Sequence, residues 1–406
     1  MEEKILPIIR FDNFNDYWRT SSLLSQVEVR RGLTYKPNDV RSKGARVLRS
    51  SNIVDDFFVI SDDDVFVSKD VINIPRVSNG DILVTAANGS TKLVGKHAII
   101  KNLPDDEIVV HGGFMLLFKT EQNYFVNAWM SSNEYKRVLQ FVQGGNGAIG
   151  NLSSAILKSM KMSVPSFSEQ SAIGSLFSTL DDLLDSYKDN LTNYQSLKAT
   201  MLAKMFPKAG QIVPEIRLNG FEGEWKKLKL RDVVHTNPKS ELPENFKYID
   251  LESVVGTRIE KIREERKESA PSRAQRLAKK GDVFYQTVRP YQKNNYLFKL
   301  DDIDYVFSTG YAQLRPICNR CDSDFLLILL QNNRFLNKVL DRCTGTSYPA
   351  INVNDLIEIL IAIPSYEEQQ VIGAYFSNLD NLINSHQEKI SQLETLKKKL
   401  LKDMFI

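Results

Sequence analysis

Apolar positions recur at alternating steps of three and four along residues 165–206, and again along residues 364–405. In the first stretch the stripe is Ile173, Leu176, Leu180, Leu183, Tyr187, Tyr194, Leu197 and Met201, widened by Phe177, Leu184, Leu191 and Met205. In the second it is Ile372, Tyr375, Leu379, Leu382, Leu393, Leu396 and Leu400, with Phe376, Ile383, Ile390 and Met404 beside it. A stripe sustained over several heptads predicts a coiled-coil seam between two long helices. At ~1.5 Å per residue each helix is on the order of 60 Å long. His386 takes the seam position of Tyr187 and interrupts the stripe with a polar ring. Ser166 with Glu169, and Ser365 with Glu368, carry the spacing of a capping box, each just after a proline. Pro207 closes the first helix, because it cannot donate a backbone N–H.

The residues before each helix read differently. Short runs such as Val47-Leu48-Arg49, Gly80-Asp81-Ile82-Leu83-Val84 and Gly113-Phe114-Met115-Leu116-Leu117-Phe118 are β-branched or aromatic, bounded by turn residues. Residues 126–142 read as a helix, with Val126, Trp129, Met130 and Val138 roughly on one side. The second module echoes the first at a few anchors. Ile216-Arg217, with Trp225 after it, repeats Ile9-Arg10 and Trp18; Gly281-Asp282-Val283-Phe284 repeats Gly80-Asp81-Ile82-Leu83. Thr309-Gly310-Tyr311 is matched to Gly112-Gly113-Phe114. Elsewhere the modules differ almost completely. The unit is therefore a strand-rich module followed by a helix, occurring twice. The boundaries are 1–164 for the first module, 165–207 for its helix, 208–219 for a linker, 220–363 for the second module and 364–406 for its helix.

Composition narrows the class. The 406 residues suit two to three domains, with 42% hydrophobic and 25% charged residues. No apolar run approaches the ~20 residues of a bilayer span, and the N-terminus lacks signal-peptide features. Three cysteines make no disulfide framework, which points to a reducing, cytoplasmic setting. A net charge of +3 is too small to prove a nucleic-acid partner by itself.

Enzyme motifs are weak. The stretch from Gly89 to Lys96 has one residue too many between its glycines for a phosphate-binding loop, and His97 stands where Ser or Thr is needed. Cys318, Cys321 and Cys343 lack a fourth zinc ligand at suitable spacing. His97, His111, His235 and His386 form no metal or general-base pattern. Glu265-x-Lys267 lacks the upstream aspartate of a nuclease, and no Asn/Asp-Pro-Pro-aromatic tetrapeptide of an aminomethyltransferase occurs.

The order of motifs resembles a known family. An Ile-Arg pair followed by Trp, a Gly-Asp strand, then Pro-Ser-(Phe/Tyr)-x-Glu-Gln-x-x-Ile-Gly opening a long helix, all repeated, is similar to the specificity (S) subunit of type I restriction–modification systems. The resemblance covers nearly the whole chain. It implies an α+β fold: two globular target recognition domains separated by two long antiparallel coiled-coil helices, in a pseudo-two-fold repeat. It also implies a non-catalytic DNA-recognition subunit. Each domain would read one half of a bipartite double-stranded site, and the helices would set the spacing. Methyltransferase (M) subunits, two in number, and motor-nuclease (R) subunits would be the partners. The chain itself would carry no cofactor; S-adenosylmethionine, ATP and magnesium would sit on the partners. A duplicated coiled-coil scaffold that binds proteins and not DNA is the alternative.

Readers of DNA need Lys and Arg for phosphates, and Arg, Lys, Asn, Gln, Ser or Thr for base edges. After the first Gly-Asp strand come Thr85, Asn88, Ser90, Thr91, Lys92 and Lys96. After the second come Gln286, Thr287, Arg289, Tyr291, Gln292, Lys293 and Asn294. Lys43, Arg46 and Arg49 are further candidates, as are the loops Gly144-Gly145-Asn146-Gly147 and Thr344-Gly345-Thr346-Ser347-Tyr348. The two small-residue loops could equally be plain turns, and a solvated loop between strands is the competing reading of the stretches after the Gly-Asp strands. The basic run 258–280 is interspersed with glutamates and reads as a salt-bridged helix or loop. Trp18 and Trp225 read as packing residues.

Overall fold

A computed structural model describes residues 6–142, 150–345 and 347–405. The chain divides into two units. Unit 1 comprises residues 1–188 and 388–406, and unit 2 comprises residues 189–387.

Unit 1 is built on two four-stranded sheets. In the first, His97–Ile99, Ile82–Thr85, Met115–Lys119 and Glu28–Arg31 lie side by side, all antiparallel. Their side chains bury a core with Trp18, Phe118, Phe125 and Trp129. The second sheet places Ala45–Leu48 parallel to Val109–His111 and antiparallel to Val65–Val67, with Val40–Arg41 outermost. A small ladder, Arg19–Ser22 with Lys161–Val164, leads into the first long helix.

Unit 2 repeats this frame on unrelated residues. Tyr296–Leu297, Val283–Gln286, Tyr311–Pro316 and Val234–Thr236 form its first sheet, in the same order as in unit 1. In its second sheet, Asn245–Ile249 runs parallel to Tyr305–Ser308 and antiparallel to Arg263–Arg266. The fourth strand differs. Ala274–Leu277 flanks Tyr305–Ser308, whereas in unit 1 the outer strand flanks Val65–Val67. Lys226–Lys229 with Leu360–Ile363 is the counterpart of the small ladder.

The long helices are Phe167–Lys204 and Tyr366–Asp403. In unit 1 the start of the first meets the end of the second through Lys397–Asp181 at 2.6 Å and Lys188–Glu394 at 3.1 Å. In unit 2 the end of the first meets the start of the second through the Lys198–Asp380 ion pair and the Tyr194–His386 ring contact at 5.2 Å. Partner numbers rise on one helix as they fall on the other, so the pairing is antiparallel within each unit.

The seam differs from the predicted stripe. Ile173, Phe177, Leu180 and Leu184 are buried, as are Ile372, Phe376, Leu379 and Ile383. Leu176, Leu393, Tyr187 and Tyr194 are partly covered, while Leu183, Leu197, Leu382 and Leu396 are exposed. The opening turns of each helix lie on a globular core, which rotates the buried face toward the residues read as merely widening the stripe. Gly174 and Gly373 mark that approach: a Cβ there would sit 3.0 Å from the Phe125 nitrogen and 2.9 Å from the Phe325 nitrogen, respectively.

The capping boxes form by half. The Glu169 and Glu368 amides donate to the Ser166 and Ser365 hydroxyls at 3.4 and 3.3 Å. The glutamate side chains do not return to the cap. Arg10 holds Glu169 through two 2.7 Å bonds, and Arg217 holds Glu368 at 2.8 and 2.6 Å. A charged fork outcompetes a neutral amide as a carboxylate donor. The neighbouring isoleucines complete the tie. The Ile9 amide donates to the Asp403 carbonyl at 2.9 Å, and the Ile216 amide to the Lys204 carbonyl at 3.0 Å. In each unit the Ile-Arg pair therefore joins the end of one long helix to the start of the other.

Other expectations shift. The helix read over 126–142 is two helices, Asn123–Ser131 and Asn133–Val142, broken at Ser132. The run 258–280 is neither helix nor loop alone but carries the strands Arg258–Ile259, Arg263–Arg266 and Ala274–Leu277; Arg263 pairs with Asp250 at 2.8 Å. Strand register sets Thr85 opposite Met115 and Gln286 opposite Tyr311, so the equivalent of Gly310 is Phe114, one residue beyond the sequence match. Trp18 and Trp225 are buried. No helix among the described residues is long and apolar enough to cross a membrane.

Candidate nucleic-acid interface

Each Gly-Asp strand ends in a polar loop, and the fold brings a second segment beside it. In unit 1 the strand Ile82–Thr85 runs on into Ala87–Asn88, which pairs with Gly150–Asn151. The Ala86 amide donates to the Phe114 carbonyl at 2.9 Å, and the Leu152 amide to the Ala86 carbonyl at 2.8 Å. In unit 2 the Thr287 amide donates to Gly310 at 3.0 Å, and the Ile351 amide to Thr287 at 3.0 Å. The two loops are thus held by the same backbone bonds while differing in nearly every side chain.

Unit 1 sorts its candidates by exposure. Thr85 is fully buried, so its hydroxyl belongs to the strand interior. Asn88 is partly exposed; its amide donates to the Ser50 hydroxyl at 3.2 Å and its Oδ1 accepts from the Ser90 amide at 2.9 Å. That bond brings the Arg49–Ser50 turn beside the loop. Ser90 and Lys92 are exposed, and Thr91 and Lys96 partly so. Lys43 and Arg49 are exposed. Arg46 is not available: it is buried, with its guanidinium 2.7 Å from both Asp64 and Glu107 and 4.6 Å from the Phe66 ring centroid. The fork from Arg46 holds the Glu107 carboxyl below its ordinary range. The Gly144–Gly147 candidates lie outside the described residues.

In unit 2, Gln286 and Thr287 are buried. The Gln286 side-chain amide donates to the Val288 carbonyl at 2.7 Å and to Gln292 Oε1 at 2.8 Å, and the Thr287 hydroxyl donates to Gly310 at 2.8 Å. These residues shape the loop. Tyr291 and Gln292 are exposed. Lys293 folds inward, donating to the Gln331 carbonyl at 2.9 Å and to Asn333; burial lowers its pKa. Asn294 accepts from the Gly256 amide at 2.9 Å. Arg289 stands over the exposed ring of Tyr348, 4.4 Å from its centroid, beside exposed Ser347. Thr346 lies outside the described residues.

Sequence reasoning missed Phe114. It is 73% exposed although it precedes a buried strand, and its carbonyl anchors the unit 1 loop. The pair of glycines before it is the local signal that the chain turns there. The cysteines are free thiols, and burial pushes the Cys321 thiol up to about 12. Among the described residues no group of three or more His, Cys, Asp or Glu could hold a metal ion.

Comparisons with known proteins agree with this frame. Residues 222–395 match the model of the type I restriction modification DNA specificity domain. A Methanocaldococcus jannaschii protein, provisionally named as the type I restriction enzyme MjaX specificity subunit, is 23% identical over 95% of this chain and 92% of its own length. The type I restriction enzyme HindI specificity subunit of Haemophilus influenzae is 27% identical over 45% of this chain and 41% of its own. The crystal structure of the type I restriction–modification S subunit from M. genitalium shares the fold, with a TM-score of 0.66 at 15% identity, over 99% of both chains. With both copies of the Ile-Arg, Gly-Asp and Pro-Ser-x-x-Glu-Gln anchors in place on one frame, the chain carries a match to the type I restriction modification DNA specificity domain and is similar, along nearly its whole length, to specificity subunits of type I restriction enzymes.

Proposed function

We propose that each unit reads one half of a bipartite DNA site through the loop that follows its Gly-Asp strand, and that the chain supplies this address to enzymes carried by other subunits. One observation carries the reading. Two loops of unlike polar and basic residues occupy the same backbone position on the same strand order, which is what two different half-sites need. Phosphate contacts from Lys43, Arg49, Lys92 and Lys96 would position unit 1, and base edges would be met by residues such as Asn88 and Ser90.

The long helices have two roles in this reading. They act as the spacer between half-sites, and they dock two M subunits. The exposed leucines suit docking: Leu183 and Leu396 in unit 1, and Leu197 and Leu382 in unit 2, are each about two-fifths exposed. R subunits join the complex, and S-adenosylmethionine, ATP and magnesium belong to the partners. The setting is cytoplasmic. The test is binding of the complex with its M subunits to duplexes carrying a split site. Affinity should fall steeply with salt, because phosphate contacts release counterions. Salt-independent binding, or equal affinity for every sequence, would remove the reading.

A further inference from the structure

Arg289 rests on an aromatic ring where several other arginines of this chain rest on carboxylates. Arg10, Arg46, Arg217, Arg263 and Arg315 each pair with a carboxylate within 2.8 Å. Among the described residues Arg289 has no carboxylate partner. Its guanidinium lies over the face of Tyr348, a ring that is itself 62% exposed. Stacking on an aromatic face occupies the flat side of the guanidinium and leaves its in-plane N–H edge for another acceptor.

The backbone beneath is fixed just as firmly. Arg289 adopts a left-handed conformation, with φ of 55°, which is unfavourable for a residue bearing a Cβ. Its amide donates to the Pro349 carbonyl at 2.7 Å, Val288 bridges to Ala350, and Pro290 opens a single helical turn ending at Gln292. Arg289 and Tyr348 thus come from the two segments that meet at the unit 2 loop. Non-glycine residues persist in such a conformation when their surroundings over-determine it, and they cluster at functional sites.

Resting on the reading above, we propose that Arg289, backed by Tyr348, reads a guanine in the half-site addressed by unit 2. A phosphate needs only charge and tolerates a mobile lysine. A planar fork carried on a fixed backbone and backed on one side by a ring suits two coplanar acceptors, and O6 and N7 of guanine in the major groove present them. Rigidity also lowers the entropy cost of each bond made.

The test compares the methylated-base motif written by the complete complex, with its own M subunits, for the wild type and for R289K, R289A, Y348F and Y348L. At one position of one half-site, R289K and R289A should lower the preference for guanine by about tenfold or more. The other half-site should not change. Y348F, which keeps the ring, should preserve the preference, and Y348L should weaken it. R289K keeps the charge, so a wild-type motif in R289K would overturn the proposal and leave a phosphate contact. A uniform loss over all sequences in R289A, with the motif intact, would overturn it equally. A wild-type complex with no split motif would instead sink the parent reading. Thermal melting of each variant separates loss of reading from loss of fold: a motif change in R289K at an unchanged melting temperature supports the proposal.

Discussion

Arg217 and Glu368 are 151 residues apart in sequence and meet through two hydrogen bonds of 2.8 and 2.6 Å, with the carboxylate almost wholly buried. Arg10 and Glu169 do the same in unit 1. Removing one partner strands a buried charge, which costs about 3–5 kcal/mol. R217M and R10M should each lower stability by that order, read as a shift in the denaturant midpoint. The double variant R217M/E368L should recover much of the loss, because no charge is left unpaired.

Gly373 faces Asp322, the residue that caps the neighbouring helix Ser323–Gln331 by accepting from the Phe325 amide at 2.9 Å. A Cβ at 373 would lie 2.8 Å from the Asp322 Oδ1. Helix propensity alone makes Gly to Ala favourable by ~1 kcal/mol. Overpacking against a cap and a backbone nitrogen outweighs it at about 1–3 kcal/mol. G373A should therefore destabilise, and urea unfolding of the pair gives the sign directly.

The Arg46–Glu107 pair sets a pH dependence. The hydrogen-bonding Arg46 guanidinium holds the Glu107 carboxyl below the usual carboxylate range. A depressed acid stabilises above its unfolded value, and that contribution is lost as pH falls through the folded value. E107Q should be less stable than the wild type near neutrality. The gap should close as pH drops below the folded-state pKa, measured by melting temperature across acid pH.

The long helices were legible because 38-residue periodic segments outweigh local ambiguity. The Ser caps were legible for the same reason: their partners lie three residues away. The Arg–Glu ties were not, since no local pattern couples residues more than 150 positions apart. Apart from the run at Val47-Leu48, the second sheet of unit 1 was hidden by brevity, with strands of two to four residues. Arg46 looked like a phosphate ligand because sequence shows its charge and not the two carboxylates folded against it. Phe114 was absorbed into an apolar run whose first residue is in fact outside the core.

Phe114 should matter for DNA and not for folding. Exposed residues away from special features change stability by about 0.5 kcal/mol or less. F114A should keep its melting temperature and bind the split duplex more weakly. Isothermal titration of the complex would read the loss, and unchanged affinity would place Phe114 outside the interface.

Deleting whole heptads from one long helix should change the preferred gap between half-sites while leaving both half-site sequences as they were. The readout is the modified-base motif of cells carrying the variant system.

The most direct test exchanges residues 85–96 for the corresponding loop of another specificity subunit and sequences the modified bases. The expected result is a split motif in the wild type and a change confined to one half in the exchange. A continuous motif, or an exchange that alters both halves or neither, would contradict it.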